Sequence, residues 1–171
     1  MKLIYRLAAW YAAFCKIAEK LCSPLLLAVR LYWGWQFAQT GWGKLQNQAK
    51  VVDFFTSLNI PFPALNAHFV SGLEFFGGIL LMLGLASRPV AFLLTGSMFV
   101  AFWTAEREAL FSIFSDPGKF YGADAYPFLF AAIMILAFGS GRFSLDALIE
   151  KKLRSAESSS NGHWENDAVT G

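Results

Sequence analysis

Charged residues are scarce in this chain. Asp, Glu, Lys and Arg make up 15% of its 171 residues, whereas soluble domains average roughly 25%. Hydrophobic residues make up 56% and aromatic residues 17%, and the mean hydropathy is +0.46. A soluble protein of this composition would expose large apolar patches and precipitate, so the composition predicts an integral membrane protein. The net charge of +2 is too small, and the basic residues too dispersed, for a nucleic-acid-binding surface.

Cysteine and histidine are also rare. Cys15 and Cys22 are seven residues apart and form no CxxC motif, which excludes the usual dithiol centre of a thiol oxidoreductase. We interpret them as packing or interface residues. His68 and His163 are far apart in the sequence and belong to no cluster with metal-ligand spacing, so no metal site is predicted.

Long hydrophobic runs, by contrast, are present. The clearest covers residues 64–86, ALNAHFVSGLEFFGGILLMLGLA, and contains one charged residue, Glu74. A helix rises about 1.5 Å per residue, so this run is long enough to cross the roughly 30 Å hydrocarbon layer of a bilayer. An ionisable residue inside a membrane span costs at least about 2.5 kcal/mol and normally faces a partner or a polar cavity. We therefore expect Glu74 to have a partner inside the protein.

Three further apolar segments predict an all-α fold, a polytopic four-helix membrane bundle. The four spans are expected at residues 21–41, 64–86, 90–104 and 126–138. The first loop, residues 42–63, carries a short apolar stripe and predicts a surface-lying helical turn, either an interfacial cover over the bundle or a connector that dips into the headgroups. The third loop, residues 109–121, predicts a turn at Asp-Pro-Gly.

The two ends of the chain differ from this membrane domain, which is assigned to residues 21–148. Residues 1–20 place four basic residues on one side and apolar residues opposite, which predicts an amphipathic helix on the membrane surface; the alternative is an ordinary helical start to the first span. Residues 144–154 fit a short amphipathic helix on the cytoplasmic side. The tail, residues 149–171, is polar and Ser-rich and is expected to be largely disordered.

The first span supplies the predicted partner of Glu74. One face of this helix combines two basic residues with small residues that let another helix approach closely. An arginine on such a face is well placed to meet a carboxylate of the second span, so we expect a buried pair between Arg30 and Glu74. The face consists of Arg30, Gly34, Phe37, Gly41 and Lys44.

The distribution of basic residues predicts the topology. Nine Lys and Arg residues lie in the two terminal segments and the second loop, and four lie in the first and third loops. Because basic residues are retained on the cytoplasmic side, both termini are expected in the cytoplasm of a multi-pass protein of the bacterial inner membrane.

Several sequence elements together resemble the DoxX family. They are Arg30, GWGKL at 41–45, LNIPFP at 58–63, Glu74 followed by FFGG, Gly84, Arg88 and GRFSLD at 141–146. The resemblance covers roughly residues 24–148. It implies a four-span helical bundle of the bacterial inner membrane, related to DoxD, the membrane subunit of a thiosulfate:quinone oxidoreductase, and more distantly to MauE. The recurring polar residues of the family match Arg30, Lys44, Glu74 and Arg88.

The first functional hypothesis is a quinone-linked role. Glu74 would accept or pass a proton while Arg30 opposes its charge, and Lys44 and Arg88 are candidate substrate-binding residues. Four aromatic residues are candidates for a quinone slot: Trp33, Trp35, Trp103 and Tyr126. The sequence shows no flavin, haem or iron–sulfur motif, so electrons would come from a partner subunit.

Three other interpretations stay open at the level of sequence. The Arg30–Glu74 pair would be purely structural if it only fixed the register of the helices. A small carrier for a weak acid or an anion would use Arg30 and Arg88 to attract its substrate, and with only four spans it would form a homo-oligomer. A membrane scaffold would anchor soluble enzymes through its basic cytoplasmic ends.

Overall fold

The computed structural model describes residues 2–155 and residue 157, without the side chains of residues 2–5, 8, 9, 17 and 19. This part of the chain is helical and contains no strand. The helices are α1 (Lys2–Gln46), α2 (Gln48–Ser57), α3 (Pro63–Leu83), α4 (Ser87–Thr104), α5 (Arg107–Phe111), α6 (Pro117–Tyr121) and α7 (Ala125–Phe138). Residues 145–155 form a further helix after α7.

Helix α1 is continuous through the boundary predicted near residue 20. It runs for 45 residues with Pro24 inside it, so the first span and the segment before it form one helix. Trp10 and Phe14 in that segment are 77% and 68% exposed. The placement of residues 1–20 on a membrane surface stays a prediction.

The long helices α1, α3, α4 and α7 pack around one another. Helix α1 contacts α3, α3 contacts α4, α4 contacts α7, and α7 contacts α1. The closest approach joins α1 to α3, because a methyl group added at Gly34 would lie 2.8 Å from the carbonyl oxygen of Gly78. The small-residue face predicted on the first span is thus the face that admits another helix. The core between the helices includes the fully buried side chains of Phe37, Leu81, Leu94 and Ile135.

Hydrophobic length distinguishes α3 from the other described helices. Within residues 2–155, only Pro63–Leu83 is both long enough and apolar enough to cross a membrane, and Ala125–Phe138 is apolar but shorter. Helix α3 ends at Gly84, whose φ of +69° is a backbone conformation that glycine adopts without steric cost. The chain then turns directly into α4.

The predicted loops contain more helix than expected. The first loop holds the ten-residue helix α2, which fits the apolar stripe noted there. The third loop forms α5 and α6, and the Asp-Pro-Gly turn begins α6, where the Asp116 carboxylate accepts a hydrogen bond from the backbone N–H of Lys119 at 3.2 Å. The helix at residues 145–155 agrees with the one expected at 144–154. Of the tail predicted to be largely disordered, residues 149–155 belong to this helix, and residues 158–171 lie outside the described part of the chain.

Candidate functional site

A buried ion pair joins α3 to the last turn of α1. The side chain of Glu74 is 1% exposed, and the Lys44 ammonium donates to both of its oxygens, at 2.5 Å to Oε1 and 2.7 Å to Oε2. Gly41, one turn before Lys44, packs directly against the backbone of Glu74 and Phe75, and a side chain there would overlap the Phe75 nitrogen. The glycine therefore sets the close contact that brings the lysine within reach of the carboxylate.

The predicted pair between Arg30 and Glu74 is wrong. Arg30 precedes Lys44 by 14 residues, which places it about 21 Å away along the same helix. Its guanidinium instead donates to the backbone carbonyls of Ser140 and, at 2.7 Å, Phe143. Arg30 and Lys44 both lie on the predicted face of α1. Helix α3 runs antiparallel to α1 along that face, so Glu74 lies beside Lys44 near the C-terminal end of α1. Arg30 meets the other end of α3, near Gly84.

The Arg30 end of the bundle is held together by backbone contacts. Asp146 accepts hydrogen bonds from the N–H groups of Ala86 (2.8 Å) and Ser87 (3.0 Å), while its own N–H donates to the Gly84 carbonyl at 2.9 Å. Partial burial raises the pKa of Asp146, but its hydrogen bonds with Ser87, Ala86 and Ser140 together outweigh burial and hold the pKa below its usual value. This carboxylate thus caps α4 and ties it to the segment after α7.

A cavity of about 710 Å³ adjoins the ion pair on one side. Helices α2, α3 and α4 line it, and Lys44 and Glu74 form part of its wall. Its other walls are mostly apolar, and several of them, including Phe69, Leu93 and Val100, are about half exposed on the outer surface. The cavity therefore opens sideways, between helices, and presents the charged pair, together with Lys50 and a few polar side chains, to a mostly apolar space.

A second, smaller cavity of about 310 Å³ adjoins the same pair. Helices α1, α4 and α7 contribute to it, with the polar side chains of Thr40, Glu106 and Asp124. Glu106 accepts hydrogen bonds from the N–H groups of Asp124 (2.9 Å) and Ala125 (3.0 Å), and so caps α7. Glu74 and Lys44 thus lie between an apolar cavity and an acidic one.

Comparison with known families identifies the segment that carries this site. Residues 25–107 match the model of the DoxX family. These residues belong to the DoxX family. The matched segment includes α2, α3 and α4 and therefore the whole lining of the larger cavity. Comparisons with curated proteins and with solved structures gave no match.

The match agrees with the resemblance noted in the sequence. DoxX proteins are membrane-associated, in keeping with helix α3, which among the described helices meets the length and hydropathy of a span. The matched residues include all four polar positions expected from the family, Arg30, Lys44, Glu74 and Arg88. Helix α7, which completes the smaller cavity, lies beyond the matched segment of the DoxX chain.

The four aromatic residues predicted to form a quinone slot do not come together. Trp33 packs edge-on against Phe128, and Trp35 is 55% exposed. Trp103 lies under the Arg107 guanidinium, 5.5 Å from its carbon to the ring centre. Tyr126 packs in a separate aromatic cluster near α6. None of the four lines either of the cavities beside Glu74.

The two predicted substrate-binding residues lie at opposite ends of the packed helices. Lys44 is the partner of Glu74. Arg88 lies near the start of α4, where its guanidinium packs close to Gly139 after α7. No single small substrate in the site at Glu74 contacts both residues, since Arg88 is at the Arg30 end.

Sequence reasoning missed two parts of this site. The larger cavity depends on the inner face of α2, whose apolar stripe was visible in the sequence as Val51, Phe54, Phe55 and Leu58. Glu106 and Asp124 of the smaller cavity were not among the predicted site residues. Their signal was weak because neither residue lies inside a hydrophobic run.

Proposed function

We propose that this DoxX protein is the membrane subunit of a quinone-linked redox complex, and that the quinone binds in the larger cavity beside Lys44 and Glu74. In this proposal α1, α3, α4 and α7 cross the inner membrane, with both termini in the cytoplasm as the distribution of basic residues predicts. The Lys44–Glu74 end then faces the periplasm and the Arg30 end faces the cytoplasm.

The observation that carries the proposal is the buried ion pair in the wall of an apolar, sideways-open cavity. A quinone is an apolar molecule with a polar head and is dissolved in the lipid itself. Ligand sites of this kind are mostly apolar, with a few polar groups that fix the orientation of the ligand, and the cavity volume of about 710 Å³ lies within the usual range of about 300–1,000 Å³. The opening among Phe69, Leu93 and Val100 provides access from the lipid.

The two charged side chains have distinct roles in this proposal. A lysine ammonium has three N–H donors, and two of the Lys44 contacts are with Glu74. The remaining donor is available to a ligand carbonyl oxygen and would orient the polar head. The carboxylate of Glu74 is buried, so it is a defined place to hold one proton at Oε1 or Oε2. A quinone, when bound, supplies the coupled transfer of electrons and protons.

The electrons come from a second protein in this proposal. The sequence has no motif for flavin, haem or iron–sulfur binding, and those groups are the usual immediate donors or acceptors for quinones. The anion-carrier alternative gains little support from the site, because Arg30 is directed at backbone carbonyls and Lys44 at Glu74. The scaffold alternative makes no use of either cavity.

Filling the larger cavity tests the proposal. Gly96 lines this cavity with open space around its α-carbon, and Gly72 on α3 has equally open space but is not part of the lining. We expect Gly96→Leu to weaken the binding of a labelled short-chain ubiquinone by tenfold or more, about 1.4 kcal/mol. Gly72→Leu, the matched control, is expected to bind normally. Binding is measured by equilibrium dialysis of protein in lipid nanodiscs.

Replacing the charged pair and one predicted slot residue completes the test. Glu74→Gln with Lys44→Met, which removes both charges together, is expected to weaken ubiquinone binding, whereas Trp103→Leu is expected to leave it unchanged. Equal binding by wild type, Gly96→Leu and the double variant would rule out the larger cavity as the quinone site. Loss of binding in Trp103→Leu alone would instead restore the slot predicted from the aromatic residues.

A further inference from the structure

The Lys44–Glu74 pair separates two cavities of different character. Both residues line both cavities. The larger cavity is mostly apolar and opens sideways, and the smaller one contains the hydroxyl of Thr40 and the carboxylates of Glu106 and Asp124. A group that is reached from an apolar space on one side and a polar space on the other is placed to exchange protons between them.

The smaller cavity leads to the end of the bundle. Glu106 lies two residues after the end of α4, and Asp124 directly precedes the first residue of α7. Asp124 is exposed and Glu106 is half-buried, whereas Glu74 is 1% exposed. The polar side chains therefore run from the buried carboxylate out to the surface where α4 ends and α7 begins.

The chemistry of the smaller cavity favours water. A buried water molecule needs two to four polar partners and about 30 Å³ of space, and the volume of about 310 Å³ holds several. The side chains of Thr40, Lys44, Glu74, Glu106 and Asp124 supply donors and acceptors along it. The larger cavity also has polar side chains, among them Lys50 and Ser97, but it opens among apolar residues. The smaller cavity ends at the exposed Asp124, so a continuous chain of water molecules to solvent is favoured on the α7 side.

We propose that the smaller cavity is water-filled and connects the Lys44–Glu74 pair to solvent at the end where α7 begins, which provides the route along which Glu74 exchanges protons. A proton that leaves Glu74 Oε passes to water and then to bulk solvent, and no electron moves along this route. The inference deepens the proposed function and rests on it, because it describes the aqueous side of the same site.

Cysteine labelling tests the route directly. In a Cys15→Ser/Cys22→Ser background, Thr40→Cys places a thiol in the smaller cavity and Ser97→Cys places one in the larger. Both changes replace a hydroxyl with a thiol. Because the reactive form is the thiolate, which needs water or nearby polar groups, we expect Thr40→Cys to react roughly tenfold faster or more than Ser97→Cys with a charged, membrane-impermeant thiol reagent. The reagent is applied to the periplasmic side of spheroplasts.

A second variant and a second reagent keep the result decisive. Ala125→Cys also lines only the smaller cavity and replaces Thr40→Cys if that variant fails to fold. An uncharged, lipid-soluble maleimide is expected to label Ser97→Cys, which shows that its thiol is present and accessible from the lipid. Equal rates of the charged reagent at the two cavities, or labelling of the smaller cavity only from the cytoplasmic side, would overturn the proposal.

The outcome separates this inference from the proposed function. Labelling of Thr40→Cys does not require a quinone, and it is expected to persist when Gly96→Leu is added. Normal ubiquinone binding combined with an unreactive smaller cavity would disprove the water route and leave the quinone site standing. A reactive smaller cavity in a protein that binds no ubiquinone would disprove the quinone site alone.

Discussion

The two ends of the bundle each bury one charged side chain, but they surround it differently. Arg30 and Glu74 are both 1% exposed. Arg30 is fixed by backbone carbonyls of the segment after α7, and Gly84 and Ser144 pack closely around it. Glu74 is held by one flexible lysine side chain and lies beside two cavities.

This difference separates a structural charge from a candidate functional one. Backbone carbonyls neither titrate nor move independently of the fold, so the contacts of Arg30 join α1 to the end of α7 and leave little room for chemistry. The Lys44 side chain is 36% exposed and can move without any change in the backbone. In our proposal Glu74, which lies beside this lysine and beside two cavities, is the group that exchanges protons.

Breaking the Arg30 end is expected to have the largest effect on stability. Arg30→Met removes the donors of two partly buried carbonyls. Leaving a buried acceptor unsatisfied costs roughly 1–3 kcal/mol, so we expect a loss of about 3 kcal/mol in the free energy of unfolding. Thermal unfolding in detergent measures it. Arg142→Met, at an exposed arginine near the same segment, is the control and is expected to unfold like wild type. Unfolding of Arg30→Met at the wild-type temperature would remove the structural role assigned to this end.

The Lys44–Glu74 end is expected to show a smaller effect that depends on the pair. Lys44→Met alone leaves a buried carboxylate without its partner, whereas the double variant with Glu74→Gln does not. We expect the single lysine variant to be less stable than the double variant, with a coupling energy of about 2 kcal/mol in a double-mutant cycle. Additive effects of the two changes would mean that the interaction between Lys44 and Glu74 does not contribute to the free energy of unfolding. The contrast drawn between the Arg30 end and the Lys44–Glu74 end would then not hold.

The helices were predictable from the sequence because they depend on local patterns. Runs of apolar residues placed the second, third and fourth spans within a few residues of α3, α4 and α7, and the stripe in the first loop anticipated α2. The small-residue face of α1 was also predictable, since Gly34 and Gly41 recur at helical spacing. These features require no knowledge of how the helices are arranged in space.

The partner of Glu74 was not predictable because it depends on how α1 and α3 are aligned along their axes. Periodicity identified the face shared by Arg30 and Lys44, but not which of the two stands opposite Glu74. The contact of Gly41 with the backbone at Glu74 and Phe75 fixes this axial alignment. The cavities depend on the same packing, and the smaller one also on α7, so the aromatic residues alone did not indicate where the cavities lie.

The smallest expected effect concerns the cap at the Arg30 end and its dependence on pH. The folded-state pKa of Asp146 lies below the ordinary value, because burial raises it less than its hydrogen bonds with Ser87, Ala86 and Ser140 together lower it. Its contribution to stability is therefore complete above the unfolded pKa of about 4 and is lost as the pH falls through the lower folded value. We expect Asp146→Asn to cost about 1 kcal/mol at neutral pH, a usual value for a helix cap, and to reduce the loss of stability below pH ~4.

Glu108 provides the control. Its pKa is lowered by the hydrogen bond and charge of Lys119 on the exposed surface, and Glu108→Gln is expected to change stability less than Asp146→Asn at neutral pH. A wild-type stability profile for Asp146→Asn from neutral to acid pH would show that the contacts of Arg30 hold this end without the cap.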